Sequence, residues 1–391
     1  MKHKKTILCF VNYYLPGFRS GGPVRTVANF VDHLGDEFNI RIICCDRDLQ
    51  DSKSYPGVKI DFWNTVGKAK VFYISKKKNK FLTIAKLLRE TQYDVLYLNS
   101  VFSFSYAIIP LLVRLLRFAP KLPCVIGPRG EFSKNALKLK KHKKKFFMFI
   151  AKYFNLYANL YWQASSDYEL IDIRREFGQV AKKIIVARDL TPNTLISEEE
   201  TYKRQDGLFR IIFLSRISPM KNLDYLLKVL ARVSIPLELN IFGPKQDIPY
   251  WNICLKLIKK LPDHIRVKIE EETPHERVLH IFSQNDLFAF PTQGEALGHI
   301  ILESLSAGTP VLVSDQTSWL SDDLGGLETL PLNEDMWVKK IETWASLPDN
   351  KFFEYRIAAK KYAKITHINN LKSLNENKKL FHDVVELNKY L

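Results

Sequence analysis

Two glutamates, Glu295 and Glu303, lie eight residues apart where the sequence predicts a turn from a strand into a helix. The segment FPTQGEALGHIILESLSAGTPVLVSD reads as a strand ending at Pro291, a loop containing glycine, and a helix of roughly ten residues from about Gly298. The free N–H groups and the positive dipole end of such a helix favour an anionic phosphate. Because carboxylates bind hydroxyl groups, the segment predicts a site for a diphosphate with a sugar on each side, as in a nucleotide sugar.

Two basic residues upstream suit the same ligand. Arg216 and Lys221 follow a predicted buried strand over Phe209–Leu214. Ser218 or Asn222 can cap the amphipathic helix that comes next. Ligands of open α/β sheets bind at this end of the strands, and two positive charges suit a leaving diphosphate.

Glycines mark two further places where a ligand can approach the backbone. Gly243 ends the predicted strand LELNIFG, and its missing side chain leaves room for a nucleotide. Gly21 and Gly22 precede an amphipathic helix, so anion binding is physically reasonable there, although a flexible turn would look the same. Arg25 is a further candidate beside this glycine pair.

The segment with the two glutamates resembles the Glu-x7-Glu motif of retaining glycosyltransferases of family four, also called glycosyl transferases group 1. Members of that family have the GT-B fold, an α/β fold with two doubly wound Rossmann-like domains facing across a cleft. In the family the first Glu contacts the donor sugar, loop and helix amides hold the diphosphate, and the second Glu binds the ribose hydroxyls. The resemblance implies these roles, in that order, for Glu295, for Leu297, Gly298 and His299, and for Glu303.

The same resemblance extends to other parts of the site. It implies that Arg216 and Lys221 neutralise the departing nucleotide diphosphate, with no metal and no cofactor besides the nucleotide sugar as co-substrate. Gly21 and Gly22 resemble the glycine loop that lies over the donor phosphates. The chain has neither a G-x-G-x-x-G fingerprint nor a Walker loop, which argues against dinucleotide and ATP chemistry.

The sequence marks candidate acceptor-binding residues less clearly than donor-binding residues. The segment Gly127–Phe132, GPRGEF, is similar to segments of glycosyltransferases that build bacterial surface polysaccharides, and places Arg129 and Glu131 as acceptor ligands. A plain salt-bridged turn would read identically. Many family members carry a His after the strand that corresponds to Val95–Leu98, whereas this chain has Asn99 and Ser100, which would have to form the hydrogen bonds instead.

Length and alternation predict two domains. A chain of 391 residues exceeds a usual single domain, and short apolar runs alternate with helical patterns, which is typical of parallel sheets with helices on both faces. We predict an acceptor-binding domain over 1–188, a linker over 189–207, a nucleotide-sugar domain over 208–369, and a terminal helix over 370–391 that packs back on the first domain. The predicted strands are Ile7–Asn12, Ile40–Cys45, Val71–Ile74, Val95–Asn99, Cys124–Gly127, Leu160–Ala164, Ile211–Leu214, Leu237–Phe242, Val267–Glu270, Leu287–Phe290 and Val311–Ser314.

Charge and cysteine content bear on location. The chain has 59 Lys plus Arg against 42 Asp plus Glu, a net charge of +17, and much of the excess lies in Lys134–Lys145, just before Phe146, Phe147, Met148 and Phe149. Such a helix suits an anionic membrane surface, although a solvated helix face is the simpler alternative. No nucleic-acid-binding signature accompanies it. Five scattered cysteines show no disulfide framework, so we expect a cytoplasmic protein peripheral to the inner face of the plasma membrane.

One feature favours another enzyme type. Asp46-Arg47-Asp48 follows a strand as D-x-D, the arrangement by which GT-A glycosyltransferases hold a metal, but the two-domain pattern and the Glu-x7-Glu segment argue against it. We therefore expect a metal-independent, retaining transfer from a UDP- or GDP-linked sugar to a lipid-linked glycan in O-antigen, capsule or exopolysaccharide biosynthesis. A GT-B-like epimerase or phosphorylase and a non-catalytic sugar- or lipid-binding protein remain alternatives, because a fold does not fix a function.

Overall fold

The computed structural model describes residues 4–133, 136–137, 141–181, 183–192, 204, 207–270, 272–295, 297–321 and 323–387. Contacts divide the chain into two compact units. The first contains residues 1–192 together with 370–391, and the second contains residues 193–369.

The first unit is built on a sheet of eight strands within the described residues. The strands are Thr6–Phe10 (β1), Asn39–Cys45 (β2), Trp63–Val66 (β3), Ala69–Ile74 (β4), Val95–Leu98 (β5), Cys124–Ile126 (β6), Tyr161–Ala164 (β7) and Lys183–Val186 (β8). Their order is β3-β4-β2-β1-β5-β6-β7-β8, and every pair is parallel except β3 with β4.

Helices cover both faces of this sheet. Alternate residues of β1 enter separate cores, with Leu8 and Phe10 in one and Ile7 and Cys9 in the other. This follows from the two-residue period of a strand and requires helices on each side. The helices are Gly22–Leu34, Lys80–Glu90, Ile109–Leu115, Lys141–Tyr153 and Asp167–Phe177, with a π-helical turn at Phe104–Ile108 and a 3-10 turn at Gly178–Val180.

The second unit has an all-parallel sheet of six strands within its described part. The strands are Phe209–Leu214 (β9), Leu237–Phe242 (β10), Ile265–Ile269 (β11), Leu287–Phe290 (β12), Val311–Ser314 (β13) and Leu327–Leu330 (β14), in the order β11-β10-β9-β12-β13-β14. The helices are Leu223–Leu230, Ile248–Ile258, Val278–Ser283, His299–Ser306 and Glu334–Ala345, with 3-10 turns at Pro219–Lys221 and His275–Arg277.

One helix, Asp349–Leu387, begins in the second unit and ends in the first. Phe352 and Ala359 belong to the core of the second unit, and Leu380 and Phe381 to the core of the first. The helix starts 21 residues before the predicted terminal helix, at Asp349, and its part from residue 370 belongs to the first unit.

The unit boundary also differs from the predicted linker over 189–207. Residues 189–192 belong to the first unit, where Leu190 is buried and the backbone N–H of Thr191 donates to Asn370 at 3.0 Å. Arg204 lies in the second unit and donates to the backbone of the Glu334–Ala345 helix. Residues 193–203, 205 and 206 of the predicted linker lie outside the described residues.

Candidate active site

Three of the predicted site residues cluster where β9 and β12 end. The Lys221 ammonium forms a short ion pair with Glu295 and lies 5.2 Å from the centroid of the Phe290 ring. Lys221 is only 7% exposed. Burial lowers the pKa of the Arg216 guanidinium, and the charge of Glu295 opposes that effect. The structure thus brings together two cations and one carboxylate, as the sequence predicted.

The two loops that carry these residues are bonded to each other. The backbone carbonyl of Met220 accepts from the Gln293 N–H at 2.8 Å and from the Thr292 hydroxyl at 3.1 Å. Asn222 has a left-handed backbone, and its side chain donates to the Pro291 carbonyl at 3.0 Å. Neither Asn222 nor Ser218 makes the predicted side-chain cap. Through its bond to Pro291, Asn222 instead connects the turn that contains Lys221 to the loop that contains Glu295.

The helix of the Glu-x7-Glu segment begins one residue later than expected, at His299, with Gly298 as its N-cap. Gly298 has φ of 71°, and a side chain there would crowd Ile301 at 2.9 Å and Glu295 at 3.1 Å. Glycine is therefore favoured by both backbone conformation and space. The Trp319 indole N–H donates to the Leu297 carbonyl at 2.6 Å and fixes the loop just before the helix. The N–H groups at the start of a helix point outward along its axis, which is the arrangement that favours an anion.

Gly243 follows β10 and has φ of 126°. A Cβ atom at this position would overlap the carbonyl oxygen of Ser215, which directly follows the neighbouring strand β9. The residues that follow β9 and β10 approach each other so closely here that only glycine fits without displacing the backbone. Its predicted contact with a nucleotide stays a prediction.

Glu303 lies on the second turn of the His299–Ser306 helix and is 4% exposed. Its Oε1 atom is 2.7 Å from Nε2 of His275, a residue that the sequence analysis did not identify. His275 belongs to the 3-10 turn after β11, and is 28 residues away in sequence. No spacing motif links such residues, because their contact depends on the packing of the Val278–Ser283 helix against the His299–Ser306 helix.

In the first unit, Gly21 is the N-cap of the Gly22–Leu34 helix, with φ of 64°. A side chain at Gly22 would meet nothing within 4 Å, so space around this helix end is open. Arg25, on the first turn, is half-buried. Their predicted roles near the donor and the acceptor stay predictions.

Arg129 lies within a buried network of the first unit. Its guanidinium forms short contacts with Asp189 and with the Tyr97 hydroxyl, and it donates to Oδ1 of Asn99 at 3.0 Å. Gln163 continues the network, because its oxygen is 2.5 Å from the Tyr97 hydroxyl. The structure thus brings Arg129 and Asn99 together, in contacts that a salt-bridged turn also predicts.

Glu131 and Ser100 form a second buried contact. The Ser100 hydroxyl donates to one oxygen of Glu131 at 2.7 Å, and the N–H groups of Val101 and Phe102 donate to the other at 2.7 and 3.2 Å. Burial raises the pKa of Glu131, and these donors oppose the effect. Both carboxylate oxygens are therefore engaged by protein donors, and an acceptor role for Glu131 would need these bonds to be shared.

The two carboxylates of the D-x-D segment are also engaged. Asp48 accepts from the backbone N–H groups of Phe18, Arg19 and Leu49 at 2.7, 3.0 and 2.7 Å. Asp46 forms a two-point contact with Arg47, at 2.8 and 3.0 Å. These bonds hold the loop after β2 against the glycine-containing loop of the first unit.

The basic segment Lys134–Lys145 is described only in part, because residues 134, 135 and 138–140 lie outside the described residues. Its visible part opens the Lys141–Tyr153 helix, and the side chain of Lys141 is likewise not described. Among the described residues, no helix is long and apolar enough to cross a membrane. The helix presents aromatic side chains to solvent, namely Phe146, Phe149 and Tyr153, which are 67%, 69% and 75% exposed.

Residues 197–365 match the model of the family described as Glycosyl transferases group 1. The family that the sequence motifs indicated is thereby confirmed for this segment, which contains Arg216, Lys221, Glu295 and Glu303.

Relatives and solved structures extend the likeness. The "Uncharacterized 41.2 kDa protein in cps region" of Klebsiella pneumoniae is 24% identical over 318 residues, covering 78% of this chain and 82% of that protein. Two curated D-inositol 3-phosphate glycosyltransferases are matched over only about a quarter of their own length, 26% each.

Two crystal structures share the fold over almost the whole chain. Anabaena HepE in complex with UDP and glucose superposes with a TM-score of 0.71 at 16% identity, covering 97% of this chain and 100% of that one. WaaG, a glycosyltransferase involved in lipopolysaccharide biosynthesis, superposes with a TM-score of 0.65 at 13% identity, covering 95% and 98%. The predicted GT-B fold is confirmed by these likenesses.

Proposed function

We propose that this protein is a retaining glycosyltransferase that moves a sugar from a UDP- or GDP-linked donor to a lipid-linked glycan of a bacterial surface polysaccharide. The observation that carries the proposal is the cluster of Arg216, Lys221 and Glu295 beside a helix amino terminus, in a segment of the glycosyltransferase family. HepE, which was crystallised with UDP and glucose, and WaaG, which is involved in lipopolysaccharide biosynthesis, support the choice of ligand and pathway.

The geometry suits the chemistry of the leaving group. When the bond between the anomeric carbon and the diphosphate breaks, its electron pair leaves with the diphosphate and negative charge develops on the phosphate oxygens. The acceptor hydroxyl oxygen bonds to the same carbon and gives its proton to a leaving phosphate oxygen. Arg216, Lys221 and the amides at Gly298 and His299 are fixed charges and dipoles of the sign that stabilises this state. We propose that they act without a resident metal or cofactor, with Glu295 binding the donor sugar.

The Lys141–Tyr153 helix supports the lipid-linked acceptor. Lys143 and Lys145 are exposed next to Phe146 and Phe149, so one surface carries both cations and large apolar rings. Cations attract anionic headgroups and aromatic rings enter the interface, which is the behaviour of peripheral membrane helices. We propose that this surface docks the protein at the inner face of the plasma membrane.

Nucleotide release from a panel of UDP- and GDP-sugars, with membrane lipid extract as acceptor, tests the proposed function. We expect one donor to release its nucleotide only when extract is present, and the same donor to raise the unfolding temperature because it binds the folded state. Release that does not depend on acceptor would favour an epimerase or phosphorylase instead. Binding without any turnover would indicate a non-catalytic sugar-binding protein.

A further inference from the structure

A histidine holds the carboxylate that is proposed to bind the ribose. His275 Nε2 lies 2.7 Å from Oε1 of Glu303. A carboxylate oxygen only accepts hydrogen bonds, so the imidazole donates its Nε2 proton. The Glu303 side chain is 5% exposed and that of His275 is 25% exposed, so the bond lies at the border between the helix and solvent.

The two oxygens of Glu303 differ in their surroundings. Oε1 is engaged by His275, whereas the described part of the chain provides no hydrogen-bond donor to Oε2. A carboxylate held through one oxygen keeps a fixed orientation and offers the other oxygen in a defined direction. Such orientation of a binding group by a neighbouring side chain is how proteins preorganise a ligand site.

The backbone around the pair is also fixed. His275 follows Pro274 and begins a 3-10 turn that leads directly into the Val278–Ser283 helix. Glu303 lies on a helix that begins directly after Gly298, whose left-handed backbone and close neighbours Ile301 and Glu295 constrain the start of the helix. Both partners are therefore carried by short, constrained segments rather than by long loops.

We propose that His275 is a positioning residue of the nucleotide site: it fixes the Glu303 carboxylate so that Oε2 accepts a hydrogen bond from a ribose hydroxyl of the bound nucleoside diphosphate. The inference rests on the proposed function, because it needs a nucleotide ligand. It adds a residue from the loop after β11 to a site built from the loops after β9 and β12.

Removal of single ribose hydroxyls tests this role. Calorimetry would measure the Kd of UDP, 2′-deoxy-UDP and 3′-deoxy-UDP, or of the guanine analogues if GDP is the nucleotide that stabilises the protein. In the wild type, loss of the hydroxyl that contacts Glu303 should weaken nucleotide binding about tenfold or more, since the Glu303 oxygen that accepts this hydrogen bond is charged. His275→Ala should bind the intact nucleotide about tenfold more weakly than the wild type does. It should also lose most of the deoxy penalty, that is, the weakening of binding caused by removal of the ribose hydroxyl.

Two further variants separate positioning from general stability. His275→Gln keeps an N–H donor and should recover part of the penalty. His280→Ala removes an exposed imidazole five residues later, whose contact is with Gln284 at 3.0 Å, and should bind like the wild type. In turnover assays, His275→Ala should raise KM for the donor with little change in kcat, because the ribose contact is the same in ground and transition states.

The outcomes are distinct. A deoxy penalty in His275→Ala equal to that of the wild type would overturn the positioning role and leave the proposed function intact. Wild-type protein that binds neither UDP nor GDP at millimolar concentration would overturn both. Unfolding temperatures of the unliganded variants, which we expect to stay close to the wild type, show that the variants fold.

Discussion

At the scale of single residues, the site depends on charges that are largely removed from water. Lys221 is 7% exposed and its charge is balanced by Glu295, while Arg216 lies where burial opposes its charge. Removing one partner of such a pair leaves the other charge with less compensation, so single substitutions have large effects. A diphosphate would supply additional negative charge to this pair of cations.

Arg216→Ala and Lys221→Met should each lower turnover by about 10²-fold or more, because each removes a preorganised charge at the leaving group. Lys228→Met is the matched control, since Lys228 is exposed and pairs with Asp224 four residues before it, at 2.9 Å. Steady-state rates with saturating donor provide the measurement. The same turnover loss in Lys228→Met would show that the effect is not specific to the site. Full activity only after addition of Mn²⁺ to EDTA-treated enzyme would point back to Asp46 and Asp48.

Substitution of the two glutamates should change different kinetic parameters. Glu303→Ala should weaken nucleotide-sugar binding by about 1.5–3 kcal/mol, the strength of a hydrogen bond to a charged group. Glu295→Ala should lower turnover more than it lowers nucleotide affinity, because its proposed partner is the sugar. Calorimetry with the nucleotide and rates with the full donor distinguish the two. Wild-type turnover in Glu295→Ala would assign that residue to the scaffold.

Asp286 gives the stability of the protein a pH dependence. Burial raises its pKa to about 7, and its carboxylate accepts from the Arg210 N–H at 2.6 Å. Folding thus favours the protonated form, so the stabilisation is complete below about pH 4, the ordinary Asp range, and is lost as the pH rises through 7. Compared with Asp286→Asn, the wild type should lose up to about 1.4 kcal/mol of unfolding free energy per pH unit across this window. Urea denaturation at several pH values measures it, and parallel profiles of the two proteins would contradict the prediction.

At the scale of elements, sequence patterns located the central strands and one outermost strand, β11, and missed the other three outermost strands of the described sheets. β3, β8 and β14 were not predicted, and each is the outermost strand of its sheet. Their residues are largely half-exposed, whereas β1, β5 and β12 are buried throughout. β3 and β14 each contain two polar residues in four and so lack the continuous apolar run that marks a buried parallel strand, whereas the short apolar run of β8 was present in the sequence and was overlooked.

The site shows the same division between local and distant information. The spacing of Glu295 and Glu303, with glycine between them, is local and was readable. The bond from Asn222 to Pro291 and the bond from His275 to Glu303 join segments 69 and 28 residues apart. The first depends on the neighbouring positions of β9 and β12, and the second on the packing of two helices. Neither arrangement has a signature in one sequence, so these contacts required the fold.

Gly243→Ala should destabilise the second unit by at least about 2 kcal/mol, because the new side chain would overlap the Ser215 carbonyl at a backbone angle that favours glycine. Gly22→Ala is the control, since a side chain there meets nothing within 4 Å, and its stability should stay within about 1 kcal/mol of the wild type. Denaturant titration gives both values. Equal stability of the two variants would show that the strand ends can separate freely.

At the scale of the whole molecule, a net charge of +17 favours association with anionic surfaces. The Lys141–Tyr153 helix focuses this attraction, but not every lysine of the segment contributes. Lys144 donates to the Ala136 carbonyl at 2.7 Å and lies over the Phe102 ring, so it has a structural contact. Lys143 and Lys145 are exposed cations of this helix that lie close in sequence to Phe146 and Phe149.

A variant with Lys143 and Lys145 changed to Gln and Phe146 and Phe149 changed to Ser should bind phosphatidylglycerol vesicles at least tenfold more weakly. Each Lys contributes about 1 kcal/mol near an anionic surface, and buried rings add to that. Lys259 and Lys260, both exposed in the second unit, provide a control when changed to Gln. Vesicle sedimentation at low and high salt measures binding. Unchanged vesicle binding by the variant with four substitutions, or no vesicle binding by the wild type, would show that the helix is an ordinary solvated surface helix.

The long helix Asp349–Leu387 has a consequence for how the chain is made. Leu380, Phe381 and Val384 complete a core whose other members, such as Phe30 and Tyr97, lie near the start of the sequence. During translation those early residues leave the ribosome first, yet their core stays open until the second unit has been synthesised. The first unit therefore keeps an apolar face exposed while the second unit is synthesised, and we expect chaperones to bind the nascent chain. For the same reason we expect a gene fragment ending at residue 192 to express poorly.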